Sequence, residues 1–311
     1  MTVDLRTRPA GASGTSPAAA HDSAEEAKAA PAARGPRRLP RPRRPRRITV
    51  VRAAVFAAAI ALWWAVTRFG GIDPVILPGP GDVAREMIDG NRCVPGETGR
   101  PECGVQGYFL WQHLLATLQR IAAGLVAGVA AGLAAGWALA MIPPVRRVVE
   151  PYITFLRALP PLGYIGLLIV WFGVGDSSKL VLLFLATFPF VTVATVDGVL
   201  GVPRDWSLAV RTLGASGLQV IRDVVIPGAA PQILVGIRLA AGAAWSSIVA
   251  AEMNDGIPGI GGLAYISGTQ LDTALTVACI VIIGVTALAI DQALLLLERR
   301  AAPWRTAGGT R

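Results

Sequence analysis

Long apolar runs separated by short polar segments dominate the chain after residue 47. The runs that predict membrane helices are, approximately, 48–69, 114–141, 158–175, 179–197, 232–253 and 273–297. A helix of about 20 mostly apolar residues spans the hydrocarbon core of a bilayer. The pattern therefore predicts an all-α, polytopic membrane protein with six transmembrane helices.

Composition and charge agree with a membrane protein and exclude a nucleic-acid-binding one. The chain is 53% hydrophobic and 16% charged, with a net charge of +9. Basic residues gather in the first 47 residues and at the ends of apolar runs, as the positive-inside rule requires, and do not form one binding face. We therefore expect a multi-pass protein of the cell membrane with both termini cytoplasmic, lipid as a partner and no nucleic acid.

Two tails flank the predicted transmembrane domain at 48–300. Residues 1–47 are rich in Ala, Pro, Ser and Arg, a composition that predicts a disordered basic cytoplasmic tail in contact with anionic lipid. A specific binding partner for this tail remains an alternative. Residues 301–311 form a short cytoplasmic tail.

The second apolar run carries a glycine at every fourth position. These residues are Gly124, Gly128, Gly132 and Gly136. Residues four apart lie on the same face of a helix, and glycines there let another backbone approach closely in lipid. This spacing predicts a tight helix–helix contact.

Cysteine and histidine residues give little sign of chemistry. Cys93 and Cys103 share one polar segment on the predicted outer side, where a disulfide can persist. Two free thiols are the alternative. The spacing of Cys and His indicates no metal site, and no Walker A sequence indicates nucleotide binding by this chain.

The segment 203–231 lies between two apolar runs and is itself mixed and charged. Arg204, Asp205, Arg211 and Arg222 keep most of it out of the bilayer core. Its pattern predicts a short helix, a turn at Gly214 and a second short helix that Pro227 closes, with Pro231 at the entry to the next membrane helix.

This segment resembles the cytoplasmic "EAA" loop of ABC-transporter permease subunits. The spacing of that loop is intact, although Leu208 stands where the family has Glu. In the family the loop docks on the ATP-binding subunit. The resemblance therefore implies a coupling role here; a plain amphipathic connector is the alternative. The positions it assigns to coupling are Leu208, Ala209, Arg211, Gly214, Ala215, Val224, Ile226 and Pro227.

Three further stretches are similar to the sulfonate, taurine and nitrate branch of these permeases: Leu-Pro-Pro at 159–161, Trp-Phe-Gly at 171–173, and 236–253. The resemblance implies a type I ABC importer permease fold and a non-enzymatic subunit without catalytic residues or bound cofactor. It also implies a second permease copy, an ATP-binding subunit that uses ATP, and an external solute-binding protein. The expected solute is an organic sulfonate, taurine, nitrate or a similar anion. A thiamine precursor or another small nutrient is the alternative solute, and an ATP-independent secondary transporter is a less favoured class of protein.

Glu252 is the acidic residue of greatest interest, because an ionisable group near membrane depth should face protein or water. One interpretation places Glu252, Trp245 and Ser246 along the translocation path. The alternative is a structural carboxylate that is hydrogen-bonded to the glycine-rich turn after it. An intramembrane enzyme is disfavoured, because Glu252 and Asp291 fall near opposite membrane faces.

Overall fold

A computed structural model describes residues 46–95 and 101–301 of the chain. Nearly all of the two predicted tails, 1–47 and 301–311, therefore lies outside the described residues. By their internal contacts, the described residues from 56 onward form one compact unit.

The described chain is almost entirely helical, and hydropathy explains where its long helices lie. Within residues 46–95 and 101–301, five helices are long and apolar enough to cross a membrane. In chain order the elements are α1 (Arg46–Phe69), α2 (Pro80–Asp89), β1 (Cys93–Pro95), β2 (Pro101–Cys103), α3 (Leu110–Met141), α4 (Pro143–Ala158), a 3₁₀ turn (Pro161–Gly163), α5 (Ile165–Phe172), α6 (Asp176–Leu200), α7 (Arg204–Thr212), α8 (Gly217–Val220), a π turn (Ile221–Val225), α9 (Ile226–Glu252), α10 (Ile260–Thr269) and α11 (Thr273–Ala301).

Helices α3, α6 and α9 form the centre of the bundle. The glycine face of α3 meets α6 in parallel register, with Gly124 against Leu183 and Gly136 against Thr195. A Cβ atom at Gly132 would lie 2.8 Å from the Cβ of Val191, closer than real Cβ atoms approach. Helix α9 runs antiparallel to α6, since Gly236 faces Ala194 whereas Ala229, earlier on α9, lies beside Gly198, later on α6.

These registers fix the direction of each crossing. Because α3 and α6 run in the same direction, the chain between them must return to the end where α6 begins. Helices α4 and α5 make that return, separated by an extended Leu159 and a 3₁₀ turn. We call the end where α9 finishes the Glu252 end, and the opposite end, where 204–220 lies, the loop end.

The prediction of six continuous spanning helices is therefore wrong at the third crossing. The run 158–175 contains only the eight-residue helix α5, and the crossing begins earlier, in the amphipathic α4. Proline has no N–H to donate and disfavours helical geometry in the residue before it, so Pro160 and Pro161 interrupt the helix.

The loop segment also differs from its prediction in one respect. Pro227 does not end the second short helix, and Pro231 lies inside a helix and not at its entry: helical structure continues from Gly217 through the π turn to Glu252. Pro227 lies in the first turn of α9, where a missing N–H is tolerated. The loop is thus continuous with a spanning helix.

At the Glu252 end, a disulfide joins Cys93 to Cys103 across the β1–β2 hairpin. Helix α2 packs against α11 nearby, with Val83 buried. These elements lie at the same end of the bundle as the first residues of α3.

Candidate functional site

The loop end carries a helical pair, α7 and α8, with apolar side chains in the open. The exposed fractions of Leu213 and Leu218 are 87% and 76%, and Trp206 and Leu208 are also more than half exposed. We call these four residues the loop surface. Exposed large apolar side chains that recur in one short segment are typical of a protein-binding surface.

Gly214 makes the turn between the two helices. Its φ of +87° lies in the left-handed region, which a side chain disfavours, and no atom lies within 4 Å of a Cβ placed there. Ser216 then caps α8 by accepting a hydrogen bond from the Gln219 N–H, while the Gln219 side chain accepts from the Ser216 N–H. The turn geometry therefore depends on glycine at 214 and on a capping box directly after it.

The other residues that the resemblance assigns to coupling divide by exposure. Ala209 and Arg211 are exposed on α7, whereas Ala215, Val224 and Pro227 are half-buried. Val220, the last residue of α8, is buried. The predicted coupling positions thus comprise an exposed part and a part that supports it.

At the Glu252 end, the Glu252 side chain is fully buried and accepts hydrogen bonds from three protein groups. Its carboxylate accepts from the Thr117 hydroxyl at 2.9 Å, from Arg120 Nη1 at 2.8 Å and from the Gly261 N–H at 3.0 Å. The alternative given above, a structural carboxylate bonded to the glycine-rich turn, describes this arrangement.

His113 extends this polar network on the same face of α3. The Gly259 N–H lies 3.1 Å from its Nδ1, and its Nε2 lies 3.1 Å from the Val105 carbonyl oxygen. The Ile260 N–H donates to the Thr117 hydroxyl oxygen at 3.0 Å. Two side chains of α3 thereby hold the start of α10.

Arg120 connects the network to α6. Its Nε donates to Asp176 at 2.7 Å, and its Nη1 also donates to the Pro258 carbonyl at 2.8 Å. Lys179 donates to the Asp255 carbonyl. Among the described residues, no buried side-chain nitrogen or oxygen lacks a partner. The network therefore fastens α3, α6, α9 and α10 together at this end.

The structure does not bring Glu252, Trp245 and Ser246 to one place. Trp245 is buried and lines a cavity of about 230 Å³ beside the Arg238–Asp291 ion pair. Ser246 is exposed and lines a separate cavity of about 200 Å³ that includes Arg157. Glu252 lines neither.

Sequence reasoning missed the roles of His113, Arg120, Asp176 and Lys179, and the ion pair between Arg238 and Asp291. Arg238 donates to Asp291 through two nitrogens, at 2.6 and 2.9 Å. The available signal was the placement of single charges within or beside apolar runs, where a partner is required. The sequence does not show which residues pair.

A bundle of spanning helices, with one broken crossing and a helical pair at one end, defines the chain as a polytopic α-helical membrane protein. Comparison with known families then identifies the class more closely. Residues 125–303 match the model of the binding-protein-dependent transport system inner membrane component. The chain belongs to this family, the permease subunits of ABC importers, and is a multi-pass protein of the cell membrane.

Its relatives extend over most of the chain. It is 36% identical over 261 residues to the taurine transport system permease protein TauC of Escherichia coli (strain K12), covering 83% of this chain and 90% of that one. The putative aliphatic sulfonates transport permease protein SsuC of the same organism is 32% identical, with coverage of 80% and 89%. The riboflavin transport system permease protein RibX of Chloroflexus aurantiacus is 31% identical, with coverage of 79% and 86%.

Solved structures agree on the fold. The inward-facing MetNI methionine ABC transporter matches with a TM-score of 0.53 at 20% identity, covering 62% of this chain and 97% of that one. An amino acid ABC transporter with histidines matches at a TM-score of 0.51 and 24% identity, covering 60% and 92%. These matches support the expected importer permease fold.

Proposed function

We propose that this chain is the membrane-spanning subunit of an ATP-driven importer for a small organic sulfonate such as taurine, or for a similar anion such as nitrate. The observation that carries the proposal is the 36% identity to a taurine permease over 83% of the chain. The similarity to a sulfonate permease supports the same solute class. The similarity to a riboflavin permease favours another small nutrient as the second candidate.

The loop surface is the docking site for the ATP-binding subunit in this proposal. Leu213 and Leu218 are among the most exposed large apolar residues of the described chain; Leu213 directly follows α7, and Leu218 lies on α8. A partner that covers them removes apolar area from water, at about 25 cal/mol per Å². The ATP is used by that subunit, and this chain binds no cofactor.

The route by which ATP closure reaches the bundle is the continuous helical stretch from Gly217 to Glu252. A docked α8 that moves carries α9 with it, because no flexible linker separates them. Helix α9 packs closely along α6, as the contact between Gly236 and Ala194 shows. Displacement of α8 therefore rotates or tilts α6 and α9 as packed rods, which changes access to the path.

The remaining partners follow from the same class. The proposal includes a second copy of the permease and an external solute-binding protein that supplies the anion. In this proposal the loop end and both termini are cytoplasmic. Cytoplasmic segments are enriched in basic residues, and four arginines lie at the loop end: Arg146, Arg147, Arg204 and Arg211.

Co-purification tests the docking site. The full chain is expressed with its ATP-binding subunit, extracted in mild detergent and recovered by a tag on this chain. Leu213→Glu introduces a charge into the loop surface, and Ile76→Glu is the matched control, since Ile76 is 75% exposed at the opposite end.

We expect near-equal recovery of the ATP-binding subunit with the unmodified chain and with Ile76→Glu, and at least tenfold less with Leu213→Glu. A charge buried in an interface without a partner costs several kcal/mol, whereas a tenfold loss needs only about 1.4 kcal/mol. Equal recovery with Leu213→Glu would remove the loop surface from the interface. Recovery of the chain alone in every case would favour the secondary transporter.

A further inference from the structure

The break in the third crossing opens a cavity at mid-depth of the bundle. The cavity has a volume of about 200 Å³, far above the ~10–15 Å³ that a single water needs. Its lining includes Arg157 and Tyr164 on the two sides of the break, Phe190 of α6 and Ser246 of α9. On α6, Phe190 lies about 21 Å from the first residue of a helix about 37 Å long, at 1.5 Å per residue.

Arg157 brings a positive charge to this cavity, and no carboxylate in the described part of the chain forms an ion pair with it. Its guanidinium lies 6.0 Å from the centre of the Phe190 ring. Within residues 46–95 and 101–301, no ion pair of 4.0 Å or less involves it. Arg238 differs, because two of its nitrogens donate to Asp291.

Depth and exposure together indicate that this surface faces water or protein. Arg157 is exposed in the single chain, and so is Ser246 across the cavity. A charged side chain at the middle of a bilayer is costly against lipid, so ionisable groups there face a bundle interior or a water-filled cavity. Irregular backbone at membrane depth is likewise tolerated only where it is buried in protein or lines a water-filled cavity. The break at Pro160 and Pro161 lies beside this cavity.

The groups around the cavity suit a small oxyanion. A guanidinium presents several N–H donors in a plane, which matches two oxygens of an anionic group. The Tyr164 side chain carries a hydroxyl, and the Ser246 hydroxyl donates to carbonyls of its own helix, a bond that it can exchange for a ligand oxygen. Phe190 and Leu185 supply an apolar wall for a short carbon chain.

We propose that this cavity is an anion site midway along the translocation path, in which Arg157 binds the sulfonate group of the solute. The solute class rests on the proposed function, whereas the site itself rests on the placement of Arg157, the break and the cavity. Arg157 holds the anion between release from the binding protein and exit at the loop end.

Charge-selective labelling tests the site without a need to know the solute. Ser246→Cys places a thiol in the cavity of the full complex in proteoliposomes. Its rates of reaction with a sulfonate-bearing methanethiosulfonate and with the trimethylammonium counterpart are compared. The ratio of the anionic reagent's rate to the cationic reagent's rate is then measured with Arg157→Gln, Arg157→Lys or Arg147→Gln added. Arg147 is the matched control, as an exposed arginine on the same helix ten residues earlier.

We expect the anionic reagent to be favoured, and Arg157→Gln to lower the ratio about fivefold, since one charge attracts one reagent and repels the other. Arg157→Lys should keep most of the ratio, and Arg147→Gln should leave it unchanged. A thiol that reacts with neither reagent, an unchanged ratio in Arg157→Gln, or an equal fall in Arg147→Gln would overturn the proposal.

Uptake by the same proteoliposomes separates this proposal from the proposed function. If the unmodified complex imports labelled riboflavin and not labelled taurine, the solute class is wrong, while a ratio that depends on Arg157 still establishes the anion site. If taurine is imported and Arg157→Gln leaves the labelling ratio unchanged, the proposed function is supported and the anion site is ruled out.

Discussion

The Arg120 guanidinium donates to the Glu252 carboxylate at 2.8 Å, and this contact joins the first third of α3 to the last residue of α9. The Glu252 side chain is fully buried and that of Arg120 is 10% exposed. Because Arg120 also contacts Asp176 and the Pro258 carbonyl, the pair holds one end of the bundle together. It lies at the end opposite the loop surface.

Removal of this carboxylate should destabilise the bundle. Glu252→Ala leaves a buried guanidinium without one of its acidic partners and breaks three hydrogen-bond contacts, a change that typically costs about 3–5 kcal/mol. Thermal unfolding in detergent, followed by tryptophan fluorescence, should show a clear fall in melting temperature. Glu150→Gln, an exposed carboxylate on α4, is the control and should have no effect. Unchanged melting with lost uptake would instead place Glu252 on the path.

The glycine face of α3 should not tolerate one added methyl group. A Cβ at Gly128 would overlap the Thr187 side chain, and one at Gly132 would crowd Val191. Overpacking of this kind costs about 1–3 kcal/mol. We expect Gly128→Ala and Gly132→Ala to lower the melting temperature.

Gly284→Ala on α11 is the matched control, because a Cβ there meets no atom within 4 Å. Alanine is a better helix former than glycine, by about 0.8–1 kcal/mol in water, so this variant should melt at the same temperature or higher. Equal losses in α3 and α11 would contradict the close contact between α3 and α6.

The turn at Gly214 allows a test of loop geometry that adds very little bulk. Gly214→Ala must hold an alanine at a φ near +87°, at a cost of about 1–2 kcal/mol. Gly217 does not have a positive φ, and a Cβ at either Gly214 or Gly217 meets no atom within 4 Å, so the two variants differ in backbone strain and not in crowding. We expect Gly214→Ala to reduce ATP-dependent uptake and Gly217→Ala to preserve it, with equal membrane levels of both. Full uptake by Gly214→Ala would show that the turn conformation is dispensable.

Glu86, on α2, should make the stability of the folded protein depend on pH. Burial, and then the nearby Asp272 and Asp89, raise the pKa of this carboxyl above its ordinary value. The folded protein thus holds the Glu86 proton more tightly than the unfolded chain does. The resulting stabilisation is fully present below the unfolded pKa and is lost as the pH rises through the folded pKa.

Glu86→Gln should therefore raise the melting temperature slightly at pH 7.5 and leave it unchanged below the unfolded pKa. The gain should be only a few tenths of a kcal/mol, because the residue is partly exposed and water screens its neighbours. Asp223→Asn, at an exposed site near the loop end, serves as the control. A rise at both pH values would assign the effect to packing and not to ionisation.

Hydropathy predicted most of this fold, because uncharged runs of membrane length have few alternatives to a helix in lipid. It failed at the third crossing, where an apolar run continues through Pro160, Pro161 and Gly163 although the helix does not. The prolines were visible, but the apolar run on both sides outweighed them in the prediction. The start of the crossing in α4 was missed because the arginines and the glutamate of this helix lower its mean hydropathy.

The site was less accessible from the sequence. The four-residue spacing predicted a packed glycine face on α3, yet nothing in it identified α6 as the partner. Thr117 and Glu252 are 135 residues apart, and only the fold brings them within 2.9 Å. The location of loop residues such as Leu213 was easier to predict, because local charge and a glycine turn already indicate a segment outside the bilayer.

ATP-dependent uptake of labelled taurine tests the central claim most directly. The chain is reconstituted in proteoliposomes with its ATP-binding subunit and solute-binding protein, with ATP on the side of the loop surface. The account predicts uptake that requires ATP and all three components and that falls at least tenfold with Leu213→Glu but not with Ile76→Glu. Uptake by this chain alone, driven by an ion gradient without ATP, would contradict it.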